Sequence, residues 1–213
     1  MVISLKLVMR VKEVFLKKLN KFLNRFCKYI IFFLCTNLYA ANVQYDYKKI
    51  ITEYILNINQ LSSNFIQSSG NTIEEGTLYL KDKRVKIQYS YPAKIQIIIA
   101  KNKAMYFNED LQEVQYFNPK DSLANFFYKV FFNQTFFDDA FFYEKENFIT
   151  VEKEFFIDGE KLTILIFFEN RPFVLRKIEV YQENNITVFS LINPNYNPDL
   201  NNKFFSMANP TIN

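Results

Sequence analysis

Between Gly76 and Phe117 the chain alternates. Leu78 and Leu80, then Val85, Ile87 and Tyr89, then Ile95, Ile97 and Ile99, then Met105 and Phe107 take every second position, with Thr77, Lys86, Gln88 and Gln96 among the residues between them. A period of two puts each set on one side of a strand. The stretch therefore predicts five short antiparallel strands with one apolar face and an opposite face that meets water. Lys81-Asp82-Lys83, Tyr91-Pro92-Ala93, Lys101-Asn102-Lys103 and Asn108-Glu109-Asp110 supply the turns. Upstream, Tyr47, Ile50, Ile51, Tyr54, Ile55, Ile58 and Leu61 recur at spacings of three and four, which predicts a helix over Tyr45 to Leu61 packed on the sheet. Asp46 near its start suits the helix dipole. Ser62 to Gln67 reads as a first strand and Ser68 to Glu75 as a polar loop.

Downstream, Asn118-Pro119-Lys120-Asp121-Ser122 offers turn and N-cap residues. Leu123, Phe126, Phe127, Val130 and Phe131, extended by Phe132, Phe136 and Phe137, predict an aromatic helix over Asp121 to Phe137. Strands follow at Phe141 to Glu144, Phe148 to Lys153, Leu162 to Glu169, Phe173 to Gln182 and Ile186 to Leu191, with turns at Ile157-Asp158-Gly159-Glu160 and Asn170-Arg171-Pro172. Leu162 to Phe168 is apolar on both faces, so that strand should be covered on both sides. The Asn- and Pro-rich tail after Asn193 reads as a loop pinned at the sheet edge by Phe204-Phe205. The pattern as a whole describes an α+β domain, mostly antiparallel sheet, with one apolar face that is either filled by its own helices or left as a cavity for an apolar ligand.

Charge changes the picture at the N-terminus. The chain has 26 basic and 22 acidic residues, but eight of the basic ones and one acid, Glu13, fall in residues 1–40, so the remainder carries a net −3. A body of that charge has no nucleic-acid footprint. The basic stretch to Lys28 precedes an apolar run from Tyr29 to Leu34, extended through Cys35 and Leu38, and a Leu-Tyr-Ala-Ala segment at 38–41. This is the order of a secretory signal peptide with cleavage after Ala40, and the run of about ten apolar residues is well short of the ~20 that span a bilayer. Residues 1–40 are thus expected to be a leader and 41–213 a periplasmic domain; a start at Met9 would shorten the leader. Both cysteines, Cys27 and Cys35, lie in it, and Leu34 is too bulky for a lipidation signal at Cys35.

Chemistry is limited by what the chain lacks. It has no His and no Cys after residue 40, so the usual zinc sets and His-activated nucleophiles are excluded, and Gly70, Gly76 and Gly159 are isolated rather than grouped in a phosphate loop. The adjacent acids Glu74-Glu75, Glu109-Asp110 and Asp138-Asp139 read as solvated turn residues. No enzyme, metal or cofactor is expected.

The order of motifs adds a resemblance. Asn64-Phe65-Ile66-Gln67, Gly76-Thr77-Leu78-Tyr79, Arg84-Val85-Lys86-Ile87-Gln88-Tyr89, a Pro turn, an Ile-rich strand and Asn108 to Val114 resemble, in sequence order, the periplasmic outer-membrane lipoprotein carrier family, LolA. The resemblance covers residues 65–132; beyond them only the strand rhythm agrees. It implies a curved antiparallel sheet, an incomplete and unclosed β-barrel, with an N-terminal helix and short lid helices over an apolar concave face. It also implies a monomeric carrier that takes the acyl chains of outer-membrane lipoproteins from an inner-membrane lipoprotein-releasing ABC transporter and passes them to an outer-membrane acceptor. Leu78, Leu80, Val85, Ile87, Tyr89, Ile97, Ile99 and Phe107 would line the cavity, and Phe126, Phe127, Val130 and Phe131 the lid. Where that family has an Arg-Pro dipeptide whose Arg latches the lid, this chain has Asp82-Lys83, which leaves Arg84, the latch candidate, or Lys83 as a substitute donor, or aromatic packing alone to close the lid. The alternative from another class is a lipid- or lipoprotein-sensing regulatory domain of the same fold.

Overall fold

The computed structural model describes residues 47–157 and 159–212. The expected leader, its cysteines, the cleavage site and Asp46 lie outside the described residues. Residues 47–56 are helical (α1). Eleven strands follow: β1 (Gln60–Ser69), β2 (Thr72–Lys81), β3 (Arg84–Tyr91), β4 (Ile95–Ile99), β5 (Ala104–Asn108), β6 (Glu113–Phe117), β7 (Phe141–Lys145), β8 (Phe148–Ile157), β9 (Glu160–Asn170), β10 (Phe173–Gln182) and β11 (Asn185–Asn195). A helix, α2 (Leu123–Phe132), separates β6 from β7, and a short 3-10 turn (Asn202–Phe205) follows β11.

All eleven strands form one antiparallel sheet in the order β6-β5-β4-β3-β2-β1-β11-β10-β9-β8-β7. It is two meanders joined where β1 pairs with β11, and it does not close, because β6 and β7 are opposite edges. The connection between those edges has to cross a face of the sheet, and α2 is that connection. The sheet must also curve. The ten-residue α2 is about 15 Å long, yet it contacts β3 and β4 while its Phe126 ring lies 6.1 Å from Phe155 on β8. β4 and β8 are seven strand spacings apart in the sheet, about 34 Å if it were flat, so the sheet bends around the helix.

Register fixes which residues share the face towards α2. Leu80 pairs with Leu61 and Val85, Leu78 with Ser63 and Ile87, and Ile97 and Ile99 continue the row beside Ile87 and Val85. Across the β1–β11 seam, Phe65 meets Leu191, Gln67 meets Phe189, and Phe189 meets Ile178, which pairs with Ile166. The apolar residues of these rows form one buried cluster, with Ile97 partly buried against it, together with Ile51 and Ile55 of α1 and Phe126, Val130 and Phe131 of α2. Gly76 is required in it: a Cβ there would stand 2.2 Å from the Gln88 carbonyl oxygen and 2.7 Å from the Phe65 ring.

Three expectations need correction. α1 ends at residue 56, so Leu61 belongs to β1, and Ile50 is 41% exposed rather than on the inward stripe. The segment 68–75 is a hairpin turning at Gly70-Asn71, not a loop. α2 stops at Phe132, and Phe136 and Phe137 are buried from the turn that follows. Cover on the outer face is also distributed differently. β9 has its alternate residues Leu162, Ile164, Ile166 and Phe168 fully buried, while Leu165 and Phe167 are half-buried, Phe167 beneath the Lys177 ammonium. The outer side of β2–β6, expected to meet water, is strapped by the tail: Phe204 packs edge-on to Tyr79 at 4.7 Å, the Lys86 ammonium lies 3.9 Å from the Phe204 ring centre, and Tyr116 donates to the Met207 carbonyl.

Candidate functional site

The face beneath α2 gathers most of the residues expected to line a cavity. Leu78, Leu80, Val85, Ile87 and Ile99 are buried there, with Ile97 and Tyr89 partly buried beside them. From α2, Phe126, Val130 and Phe131 are buried against the same cluster, and Phe127 lies edge-on to Phe189 at 5.2 Å. The helix presents these four because 126, 127, 130 and 131 repeat at three and four. Here the space under α2 is filled by the helix's own side chains.

Two expected residues fall elsewhere. Phe107 pairs with Gln96, so it faces away from Ile97 and packs with Ile98 and Met105 in a separate cluster under Met207. Arg84 also points outwards. Its guanidinium donates to the Asn202 side-chain oxygen at 3.0 Å, pairs with Asp82 at 3.4 Å and lies 5.2 Å from the Phe205 ring centre. It anchors the tail on the outer side of the sheet, the side away from α2. Alternation separates Arg84 from Val85 by one residue, which turns it to the far side of the sheet.

The segment after α2 is held by two ion pairs. Lys48 of α1 meets Asp138 at 2.9 Å, and the Lys153 ammonium donates to the Asp139 carboxylate. Lys153 comes from the inner side of β8, where its side chain is only 10% exposed and its ammonium lies 5.3 Å from the Phe136 ring centre. The hydrogen bond from Lys153 holds the Asp139 carboxyl below the usual aspartate range. Asp138-Asp139, read in sequence as solvated surface, thus ties α2's exit to α1 and β8.

A polar chain crosses the inner face near the β1–β2 hairpin. Tyr89 donates to Gln67 at 3.0 Å, and Gln67 donates to Glu74 at 2.6 Å. Burial, and then the Glu74 charge, pushes the Tyr89 hydroxyl well above the ordinary tyrosine value. The neutral phenol therefore persists at any physiological pH and keeps donating.

Two clefts open beside α2. One, of about 620 Å³, lies between α1, the Asp82-Lys83 turn and the end of α2, with Ile55, Leu56, Phe131, Phe132 and Phe137 among its walls. The other, of about 640 Å³, shares Lys83, Phe132 and Asn133 with the first and continues past the β4–β5 turn. Sequence reasoning missed the β8–β11 contribution to the face: Phe155, Ile164, Ile166 and Phe189. Their alternation was visible, but only the β1–β11 pairing brings them to the same side as Leu78. Among the described residues, no group of three or more acidic, His or Cys side chains converges as a metal site, and no helix is long and apolar enough to cross a membrane.

No protein-family model matches the sequence, and no curated protein matches it. Similar folds occur among solved structures. An uncharacterized conserved protein from Thermus thermophilus superposes with a TM-score of 0.50 at 4% identity, covering 74% of this chain and 90% of that one. A DUF1329 family protein from Desulfovibrio piger gives 0.49 at 10% identity, covering 75% and 95%. An outer membrane lipoprotein-sorting protein domain from Vibrio parahaemolyticus gives 0.39 at 10% identity, covering 75% and 93%. The first shows that this open sheet recurs as a fold; the lower scores carry no functional comparison.

Proposed function

We propose that the protein is a periplasmic carrier that shields lipoprotein acyl chains beneath α2 on their way from the inner to the outer membrane. The observation that supports this best is the crossing helix. α2 is tied to the sheet by side chains alone, it occupies the one face where the apolar rows of β2–β4 and β8–β11 converge, and clefts open along it. A helix held by packing and two ion pairs can lift while the strand ladders stay intact, because no ladder hydrogen bond has to break. Lifting it would expose the row Leu78, Leu80, Val85, Ile87, Ile97 and Ile99 to an acyl chain. Each CH₂ buried there contributes ~0.8 kcal/mol, so a chain of ordinary length offsets the apolar contacts that α2 gives up. The motif order from residue 65 to 132 supports the same reading, as does the apolar run before residue 41.

In this proposal the donor is an inner-membrane lipoprotein-releasing ABC transporter and the recipient an outer-membrane acceptor. The carrier itself works without nucleotide or metal. Purification without detergent, followed by mass spectrometry of bound material, tests it. Several different acylated lipoproteins should co-purify. A protein that arrives bare and fails to bind a synthetic triacylated peptide would contradict the carrier reading, and capture of a single membrane partner without acylated cargo would favour a sensor.

A further inference from the structure

The second cleft has a chemistry of its own. Lys83 on the β2–β3 turn, Lys101 on the β4–β5 turn, Lys120 before α2 and Lys129 on α2 all line it, with Tyr128 and Phe132 as its apolar wall. Four lysines on four separate elements converge there, on a body whose net charge is negative. Among the residues whose side chains are described, no carboxylate lines the cleft, and none of the four lysines is in an ion pair. The Lys129 ammonium is engaged over the Phe155 ring at 4.7 Å, which leaves Lys83, Lys101 and Lys120, all exposed, as the lining cations open to a ligand. The backbone at Lys83 is set by its turn: it and Asp82 have φ of 54° and 49°, the two-residue hairpin geometry. Like charges gathered without partners repel, and a concave site concentrates their field on whatever anion enters. Ammonium groups bind phosphate as point charges through short charge-assisted hydrogen bonds.

We propose that this cleft binds a phosphoryl group, the headgroup of an anionic amphiphile whose acyl chain enters beneath α2. The placement supports the chain's route, because Phe132 and Asn133 line both this cleft and the one that opens onto Ile55, Phe131 and Phe137. The choice of a lipid source rests on the carrier reading above; the phosphoryl site does not.

The test compares four probes of matched chain length where a chain is present: a lysophosphatidic acid, a lysophosphatidylcholine, a neutral monoacylglycerol, and glycerol 3-phosphate with no chain. Binding is measured by calorimetry below the micelle concentration, for the protein and for the triple variant Lys83→Asn, Lys101→Gln, Lys120→Gln. Asn is chosen at 83 because it tolerates positive φ. The protein should bind the lysophosphatidic acid about tenfold tighter than the monoacylglycerol, a gap that several exposed pairs of modest individual strength supply together, and the gap should narrow in high salt. The triple variant should lose the gap and keep its monoacylglycerol affinity and its near-ultraviolet circular dichroism. An equal preference in the triple variant, or no preference in the unmodified protein, would overturn the site. Glycerol 3-phosphate binding as tightly as the lysolipid would support the phosphoryl site and assign it to free phosphate esters. Failure of all three acylated probes, with glycerol 3-phosphate still bound, would contradict the carrier reading while leaving the site standing.

Discussion

The Arg84 guanidinium donates a 3.0 Å hydrogen bond to the side-chain oxygen of Asn202, which places Arg84 on the outer face of the sheet, beside the tail. α2 is held instead by packing and by the ties of Asp138 and Asp139. Phe127→Ala should therefore speed hydrogen exchange across residues 123–132 and cost about 2 kcal/mol. Arg84→Ala should speed exchange only across 198–207, at about 1 kcal/mol. Faster exchange of α2 in the Arg84 variant than in the Phe127 variant would return the latch to Arg84.

Lys153 and Asp139 form the second tie. Because the folded carboxyl of Asp139 is depressed below its ordinary value of 3.8, its contribution is fully present above that value and disappears as pH falls through the lower, folded one. Asp139 is 77% exposed on its side chain, so the pair contributes about 1 kcal/mol. Asp139→Asn should lower the melting temperature at pH 6 by a few degrees, and the difference should shrink as the pH falls below 3.8. Adding Lys153→Met should recover the loss, since the charge left on the inner face of β8 would be removed. A loss that stays the same size as the pH is lowered through the acid range would exclude the ion pair as its cause.

Gly76→Ala tests the packing on which the face depends. The added methyl has backbone on one side, the Gln88 carbonyl, and the Phe65 ring on the other, so neither can yield cheaply. The expected cost is at least about 1 to 3 kcal/mol, read by urea denaturation, with Phe65 displaced from its 4.4 Å stack on Phe189. Unchanged stability would mean that β2 and β3 do not approach this closely.

Position along the face should grade the effect of a buried charge. Leu78 is fully buried at the centre, whereas Ile97 is partly buried towards the β6 edge. Leu78→Asp should prevent folding, since an unpaired charge in a dry site is strongly unfavourable. Ile97→Asp should leave a cooperative melt and weaken acyl binding. Equal unfolding of both variants would favour a face that is permanently filled.

The meander over β2–β6 was legible because apolar residues take every second position within β2, β3 and β4, and short polar or Pro-containing turns separate the strands. Phe107 broke the inference. Met105 and Phe107 alternate correctly within β5, but the pairing of Gln96 with Phe107 sets them on the opposite face, and alternation within a strand cannot say which face it shares with its neighbour. The tail illustrates the same limit: Phe204 and Phe205 were recognisable as anchors, but their contacts with Tyr79 and Arg84 depend on a return of the chain across more than a hundred residues. The site's second half was hidden for that reason too, since Phe189 and Phe155 join Leu78 only through the seam between β1 and β11. The crossing of α2, by contrast, follows from β6 and β7 being opposite edges, which local pattern alone does not reveal.

Hydrogen exchange with and without a synthetic triacylated peptide tests whether acyl chains enter beneath α2. If acyl chains enter beneath α2, the peptide should alter exchange in residues 123–132 and in the turn through Asp139, and should protect β2 to β4, while the ladder between β9 and β10 stays unchanged. Binding that leaves α2 and β2 to β4 at their unliganded rates would contradict the account, because the chains would then lie somewhere other than the face the helix covers.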